Sequence, residues 1–261
     1  QQRIVSVAEP VEAFKNAFKI PELRSRLIFT LFMLVLFRLG AFVPVPGVDG
    51  SALVDMLGRS GGGLLGFYDM FTGGAFSRAT VFALGIMPYI TASIILSLLI
   101  PVIPSLEALQ KTGAEGQRKI NEYTRYGTIA LCIVQSVPIS IYLQSLGREV
   151  VPNPGPMFIA LSVITLTTGT AFLMWIGEQI SEHGIGNGIS LLIFIGIVAD
   201  LPNAVRNAGR MIANDQMSVF VGLALVFIMV MVTAGAIVVT TGQRRIPVQY
   251  PRQIKGRGMT G

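Results

Sequence analysis

Residues 218–241 read SVFVGLALVFIMVMVTAGAIVVTT, a run that contains no charged side chain. A helix of about 20 apolar residues spans the hydrocarbon core of a bilayer, so this run predicts a transmembrane helix. The whole chain has the same character, since 52% of its 261 residues are hydrophobic, 13% are charged and the mean hydropathy is +0.65. An average soluble domain has about 25% charged residues. The composition therefore indicates an integral membrane protein.

We extend this stretch by one residue, so that the predicted span covers residues 217–241. Five further apolar stretches precede it in the sequence. The second stretch is interrupted by Pro88, and the fifth is short enough for a re-entrant segment to be the alternative. Together the stretches predict an all-α, polytopic transmembrane helix bundle. The five stretches are residues 27–46, 81–103, 127–146, 157–176 and 186–200.

Basic residues predict the orientation of these spans, because Lys and Arg are enriched in cytoplasmic loops. The segments 1–26, 104–126 and 242–261 hold 14 of the 20 basic residues, and the opposite connections hold five. Arg38 lies within the first stretch. Six crossings that start inside place both ends in the cytoplasm. Without the fifth crossing the basic tail would lie outside, so the charge count supports that short span.

Two glycine-rich segments are not needed by a simple bundle. Residues 61–76, within the external connection 47–80, form a short apolar segment between glycines. It is interpreted either as an amphipathic helix on the membrane surface or as a segment folded back into the bundle, where protein must surround irregular backbone. Residues 184–188 read GIGNG and lack both the spacing and the preceding strand of a nucleotide-binding loop, so they predict a tight turn.

The remaining polar features are few. Cys132 lies alone in an apolar run and His183 is the single histidine, so we expect neither a metal site nor a cofactor. No cleavable signal peptide is visible. The basic tail favours anionic-lipid contacts or, equally, docking to phosphate-rich RNA such as a ribosome surface. The basic residues of the tail are Arg244, Arg245, Arg252, Lys255 and Arg257.

Several sequence words, in order, resemble the bacterial SecY family from about Pro21 to Gly261. The words are FRLG at 37–40, PVPGVD at 44–49, DMFTGGAFSR at 69–78, ALGIMPYITASII at 83–95, YTRYGT at 123–128, FLMWIGEQI at 172–180 and GIGNGIS at 184–190. The resemblance implies ten transmembrane helices in two inverted halves around an hourglass pore. The chain matches the first half plus the sixth helix, so we expect it to be incomplete.

The resemblance implies a protein-conducting channel subunit and not an enzyme. Such a channel translocates unfolded secretory polypeptides across the bacterial plasma membrane and releases membrane segments sideways into it, without cofactors. The implied partners are the subunits SecE and SecG, the SecA motor ATPase, the ribosome with its rRNA, signal peptides, nascent chains and membrane lipids.

The resemblance also implies a role for individual residues. Isoleucines that face lipid or neighbouring helices are the alternative to a pore ring, and helix–helix hydrogen bonds are the alternative to a polar gate lining. His183 and Gly258 stand where the family commonly has a basic residue, which weakens the details of docking. The implied sites are a plug (Leu64, Leu65, Phe67, Met70, Phe71), a pore ring (Ile86, Ile90, Ile189, Ile193), a lateral gate (Thr91, Gln135) and the docking residues of the basic tail.

Two other classes of function are less consistent with the residues. A secondary transporter would need ionisable groups near the middle of the membrane, and the second, third, fifth and sixth stretches have none in their central portions. An intramembrane enzyme would need paired acids, an activated nucleophile or metal ligands within the bilayer. Glu178, Glu182 and His183 instead lie at the edge of a predicted cytoplasmic loop.

Overall fold

The computed structural model describes residues 20–59, 63–242, 254–255 and 258–259, and within them the fold is helical apart from turns and one short strand pair. The strands, β1 and β2, are antiparallel and two residues long each. In chain order the elements are α1 (Pro21–Gly40), α2 (Gly50–Arg59), α3 (Gly63–Thr72), α4 (Met87–Leu99), α5 (Pro104–Lys111), α6 (Ala114–Ser145), α7 (Pro156–His183), α8 (Gly188–Ala213), α9 (Val219–Thr241), β1 (Ile254–Lys255) and β2 (Gly258–Met259).

Helix α1 starts and ends where its residues dictate. Proline is favourable in the first turn of a helix, because its missing N–H would have no partner there and its φ is already helical. At the other end the Ala41 N–H closes the last turn on the Phe37 carbonyl, 3.1 Å away. Each end of the helix therefore lies six residues earlier in the sequence than the corresponding end of the predicted span 27–46. Its buried face carries Thr30, Met33 and Phe37.

Among the described residues, four helices are long and apolar enough to cross a membrane: α6, α7, α8 and α9. The axes of helices α4 and α5 differ by 97°. Together the two helices would make a fifth crossing if they form one broken span. Helix α1 carries Arg24, Arg26 and Arg38 and is not in this set. The all-α fold with several apolar spans is thus confirmed, while the number of six crossings remains a prediction.

Three further predicted segments have other bounds in the structure. Residues 81–86 of the second stretch form turns, and helix α4 starts only at Met87. The predicted loop 104–126 is largely helical, in α5 and the first part of α6. The short fifth stretch gains its length at its C-terminal side, because α8 runs on through Pro202 to Ala213. Hydropathy reports burial, and it does not report whether a buried backbone is helical.

Contacts divide the chain into two compact units, residues 1–202 and 203–261. In the first unit one apolar core joins α1, α7 and α8 to the turn segment after α3, through Met33, Phe37, Phe82, Leu173 and Ile176 among others. In the second unit, none of the described residues of α9 is buried.

A second apolar cluster in the first unit surrounds Leu53 of α2 and Val150. The Asp49 N–H donates to the Val150 carbonyl at 2.8 Å, which ties the connection after α1 to the connection between α6 and α7. Asp49 also caps α2, since its carboxylate accepts hydrogen bonds from Ser51 and Ala52. These hydrogen bonds lower the pKa of the Asp49 carboxyl, and the bond from the Ser51 side chain contributes most.

Candidate plug and pore region

Helix α3 ends in a two-glycine turn that fixes its C-terminus. Gly73 and Gly74 both have positive φ angles, +66° and +79°, which glycine adopts without steric cost. Their N–H groups return to the Met70 and Asp69 carbonyls at 3.3 and 3.0 Å, so the last turn of the helix is closed by its own backbone. We call residues 73–74 the hinge turn.

Side chains of α3 continue this anchoring into the next segment. The Asp69 carboxylate accepts a hydrogen bond from the Ser77 N–H at 2.8 Å, and the Thr72 hydroxyl accepts one from the Phe76 N–H at 3.2 Å. The Tyr68 hydroxyl donates to the Leu84 carbonyl at 2.9 Å. The C-terminal half of α3 is therefore held against the chain that follows it.

Residues 75–86 form irregular backbone that is almost completely buried. Ala75 and Leu84 have no exposed surface, and the Thr80 side chain is 1% exposed. The backbone is nevertheless hydrogen-bonded: Val45 N–H donates to Ala79 O at 2.8 Å, and Val81 N–H donates to Val43 O at 2.9 Å. Irregular backbone at membrane depth requires such enclosure by protein. Whether residues 61–76 fold back into the bundle stays a prediction.

The predicted plug side chains are only partly described. Met70 and Phe71 lie in the last turn of α3 and are 40% and 45% exposed, so these two apolar side chains are not packed although hydrogen bonds hold that end of the helix. Placement of the Leu64, Leu65 and Phe67 side chains lies outside the described part of the chain. The plug role of these five residues stays a prediction.

The four predicted ring isoleucines lie in one apolar cluster. Ile86 is 7% exposed and belongs to the core, and Ile90, Ile189 and Ile193 pack against that core. Ile86 is the residue before α4, and its carbonyl accepts from the Ile90 N–H at 3.1 Å, so the two are one turn apart. The Ile189 side chain also contacts Gly177 of α7, which fits the helix-packing alternative. All four side chains thus belong to or border the same apolar cluster, and their role as a pore ring stays a prediction.

Two arginines lie beside the hinge turn, and neither has a role predicted from the sequence. Arg38 Nη1 donates to the Gly73 carbonyl at 3.0 Å. The guanidinium groups of Arg38 and Arg78 lie 5.6 and 4.8 Å from the centre of the Phe42 ring. A charged residue inside an apolar helix is a functional candidate by default, and this was the signal available for Arg38.

The predicted gate residues lie on different helices. The Thr91 hydroxyl donates to the Met87 carbonyl of its own helix α4 at 3.0 Å, so this bond is not the helix–helix hydrogen bond considered as an alternative. Gln135 is half-buried on α6. The two helices approach closely where Ala92 faces Gly127. A gate role for Thr91 and Gln135 stays a prediction.

The GIGNG segment forms the tight turn that its glycines predict. Gly186 has φ +74°, and the Ile185 N–H donates to the Thr30 hydroxyl of α1 at 3.1 Å. The Gly188 N–H donates to the Ser181 hydroxyl at 2.9 Å. We call residues 184–188 the corner turn. The turn joins the ends of α7 and α8 and ties both to α1.

Nearby, Arg125 of α6 and Glu178 of α7 form an ion pair with 2.7 Å between Nε and Oε1. Within the described residues no group of three or more His, Cys, Asp or Glu side chains could hold a metal ion. The predicted docking residues Arg244, Arg245, Arg252 and Arg257 lie outside the described residues, and only the backbone of Lys255 is described, in β1.

The model of the SecY family matches residues 80–261 of this sequence. The chain belongs to the SecY family. The protein translocase subunit SecY of Haemophilus influenzae is 48% identical over 240 residues, which cover 92% of this chain and 54% of that protein. The same subunit from Thermus thermophilus is 45% identical over 256 residues, covering 96% of this chain and 58% of that protein. The chain therefore spans about half the length of the curated relatives it matches.

Solved structures of SecY-type channels are also similar to the chain. Sec61 in the canine ribosome-channel complex from the endoplasmic reticulum is 22% identical with a TM-score of 0.49, over 68% of this chain and 36% of that one. A SecY structure described by its plug domain has the same identity and TM-score, over 80% of this chain and 46% of that one. Family membership and the apolar helices together make this a multi-pass membrane protein.

Proposed function

We propose that this chain forms one half of the wall, and the plug, of a protein-conducting channel in the bacterial plasma membrane, with both ends of the chain in the cytoplasm. Its relatives at 45–48% identity are translocase subunits. The observation that carries the proposal is the pairing of apolar helices of spanning length with a short helix, α3, anchored on irregular backbone buried among them. A surface helix would not need that enclosure.

The ring isoleucines act as the seal of this channel. Support comes from one apolar cluster that contains Ile86 and against which Ile90, Ile189 and Ile193 pack, and branched aliphatic side chains make no hydrogen bonds to water or ions. A constriction of this kind resists wetting and therefore ion leak. An unfolded polypeptide spreads the side chains as it passes, and α3 moves aside. No bond of the polypeptide is broken, so the channel needs neither a catalytic group nor a cofactor.

Substrates leave the channel by two routes. Secretory chains pass across the membrane, and apolar signal or membrane segments leave sideways past the wall that α4 and α6 form together, which carries Thr91 and Gln135. The driving energy comes from partners on the cytoplasmic side. The SecA motor or the ribosome with its rRNA docks on the basic tail, because its Lys and Arg side chains suit acidic or phosphate-rich surfaces. SecE and SecG complete the assembly within the membrane lipids.

Deletion of residues 63–71 from the full-length protein tests the plug. In proteoliposomes with its partner subunits, the deletion should raise resting ion leak and admit substrates with defective signal sequences. Normal leak together with normal signal-sequence stringency would exclude the plug role. Co-purification from mild detergent tests the assembly itself, and the absence of SecE and SecG homologues from the purified complex would contradict it.

A further inference from the structure

The hinge turn lies directly against α8 at a second glycine. A Cβ atom at Gly73 would lie 3.0 Å from Gly196 Cα and 3.3 Å from Gly196 O. In the other direction, a Cβ at Gly196 would lie 3.5 Å from Phe71 O and 3.6 Å from Gly73 N. Two residues without side chains thus let the backbone of the hinge turn lie against a helix. Gly196 itself is buried.

Gly73 also contacts a second helix, α1. Arg38 Nη1 donates to the Gly73 carbonyl, and its guanidinium lies over the Phe42 ring. An arginine in an apolar helix is unfavourable unless polar groups or water satisfy its N–H groups. In this structure the hinge turn supplies such a group. The Gly73 backbone therefore bridges α1 and α8.

The residues that contact the hinge turn share a helix face with two ring residues. Ile189, Ile193, Gly196 and Asp200 follow one another at spacings of four, three and four, which places them along one side of α8. Asp200 Oδ2 would lie 4.0 Å from a Cβ at Gly74. Any displacement of α8 that moves Ile189 and Ile193 apart from the other isoleucines also moves Gly196 relative to Gly73.

We propose that Arg38 and Gly196 form a latch that positions the plug through Gly73, and that α8 couples the latch to the pore ring. Spreading of the ring by a passing chain shifts α8 and withdraws Gly196 from the hinge turn. Water entering the pore then replaces the Gly73 carbonyl as partner of Arg38. This inference rests on the proposed function, in which α3 is the plug.

Two substitutions at Gly196 test the latch in the full-length protein with its partner subunits. Gly196→Ala is the matched control, because its Cβ would make ordinary van der Waals contacts. Gly196→Val adds two methyl groups toward the hinge turn and should displace it. Hydrogen exchange of residues 69–77 reports the hinge turn directly, and ion conductance in proteoliposomes reports the seal. Gly196→Val should exchange about tenfold faster or more, and Gly196→Ala should match the unsubstituted protein.

The two readouts separate the latch from the plug role. Unchanged exchange in Gly196→Val, or equal acceleration in both variants, would overturn the latch. Faster exchange in Gly196→Val alone supports it. If that faster exchange came without ion leak, the latch would stand and the sealing role of α3 in the proposed function would fail.

Arg38 provides an independent arm of the test, in case the valine variant does not fold. Arg38→Met removes the donor and keeps the apolar stem, so it should accelerate exchange of residues 69–77 and raise ion leak. Arg38→Lys keeps a cationic donor and should restore slow exchange at least in part. Identical slow exchange in the methionine variant and the unsubstituted protein would overturn the role of Arg38.

Discussion

Two glycine-rich turns lie against α8, the corner turn at residues 184–188 and the hinge turn at residues 73–74. In the corner turn, a Cβ at Gly188 would overlap the Gly177 carbonyl oxygen, and one at Gly184 would lie 2.6 Å from the Ile180 carbonyl oxygen. In the hinge turn, the nearest atoms to a Cβ at Gly74 are 3.7 Å away. The corner turn leaves no space for a side chain at Gly184 and Gly188, whereas the hinge turn has space at Gly74.

The difference shows that glycine is needed for space at both of these corner-turn positions, but only at Gly73 in the hinge turn. In the corner turn it allows backbone to contact backbone, and the Thr30 and Ser181 hydroxyls add hydrogen bonds from both sides. We interpret the corner turn as a fixed corner and the hinge turn as the place where the structure can move.

The largest effect should come from Gly188→Ala. The new methyl group overlaps backbone that cannot move aside, so we expect the variant to lose about 3 kcal/mol of stability. Gly186→Ala is the control, because Gly186 has φ +74° but open space around it, and it should lose only about 1 kcal/mol. Thermal unfolding of the detergent-solubilised complex measures both. Equal midpoints for the two variants would contradict the fixed corner.

Gly73→Ala should have the next largest effect, confined to the hinge turn. The substitution combines a positive φ with a contact of 3.0 Å to Gly196, at a cost of about 2 kcal/mol. Hydrogen exchange of residues 69–77 should therefore accelerate about 30-fold. Gly66→Ala, in open space within α3, should not accelerate it and should stabilise the helix. Acceleration by both variants would mean that α3 responds as a whole and has no distinct hinge.

Thr30→Val should weaken the corner turn moderately. The isosteric change leaves the Ile185 N–H without its acceptor at a site where Thr30 is 8% exposed, at a cost of about 1 kcal/mol. Thr91→Val is the matched change in α4, where the hydroxyl bonds within its own helix, and it should have little effect. The comparison of the unfolding midpoints of the two variants decides whether the Thr30 side chain anchors the corner turn.

The smallest effect should follow from Glu178→Gln. Its partner Arg125 is 45% exposed, so solvent screens the ion pair, and we expect about 0.5 kcal/mol. The loss should disappear at high salt, because screening already weakens the pair there. Glu149→Gln serves as an exposed control. A salt-independent loss in the Glu178 variant would indicate a packing role in place of an electrostatic one.

The sequence predicted the apolar helices and the corner turn because both depend on local pattern, namely runs of apolar residues and three glycines at alternate positions. It did not predict the turns at residues 79–86, where Ala79 adopts φ +45° and the backbone bonds to Val43 and Val45 far away in sequence. Nor could it place Gly196 against Gly73, since that contact depends on tertiary packing. Arg38 was visible as a charge in an apolar helix, but its partner is a carbonyl group, which no sequence pattern marks.

The most direct test of the channel itself is a conductance measurement on the full-length complex in planar bilayers. The test variant changes Ile86, Ile90, Ile189 and Ile193 to serine. The control changes four exposed isoleucines to serine, namely Ile94, Ile95, Ile133 and Ile141. We predict a clearly higher resting conductance for the ring variant and an unchanged one for the control. Equal conductance of the two variants would contradict a seal formed by these side chains.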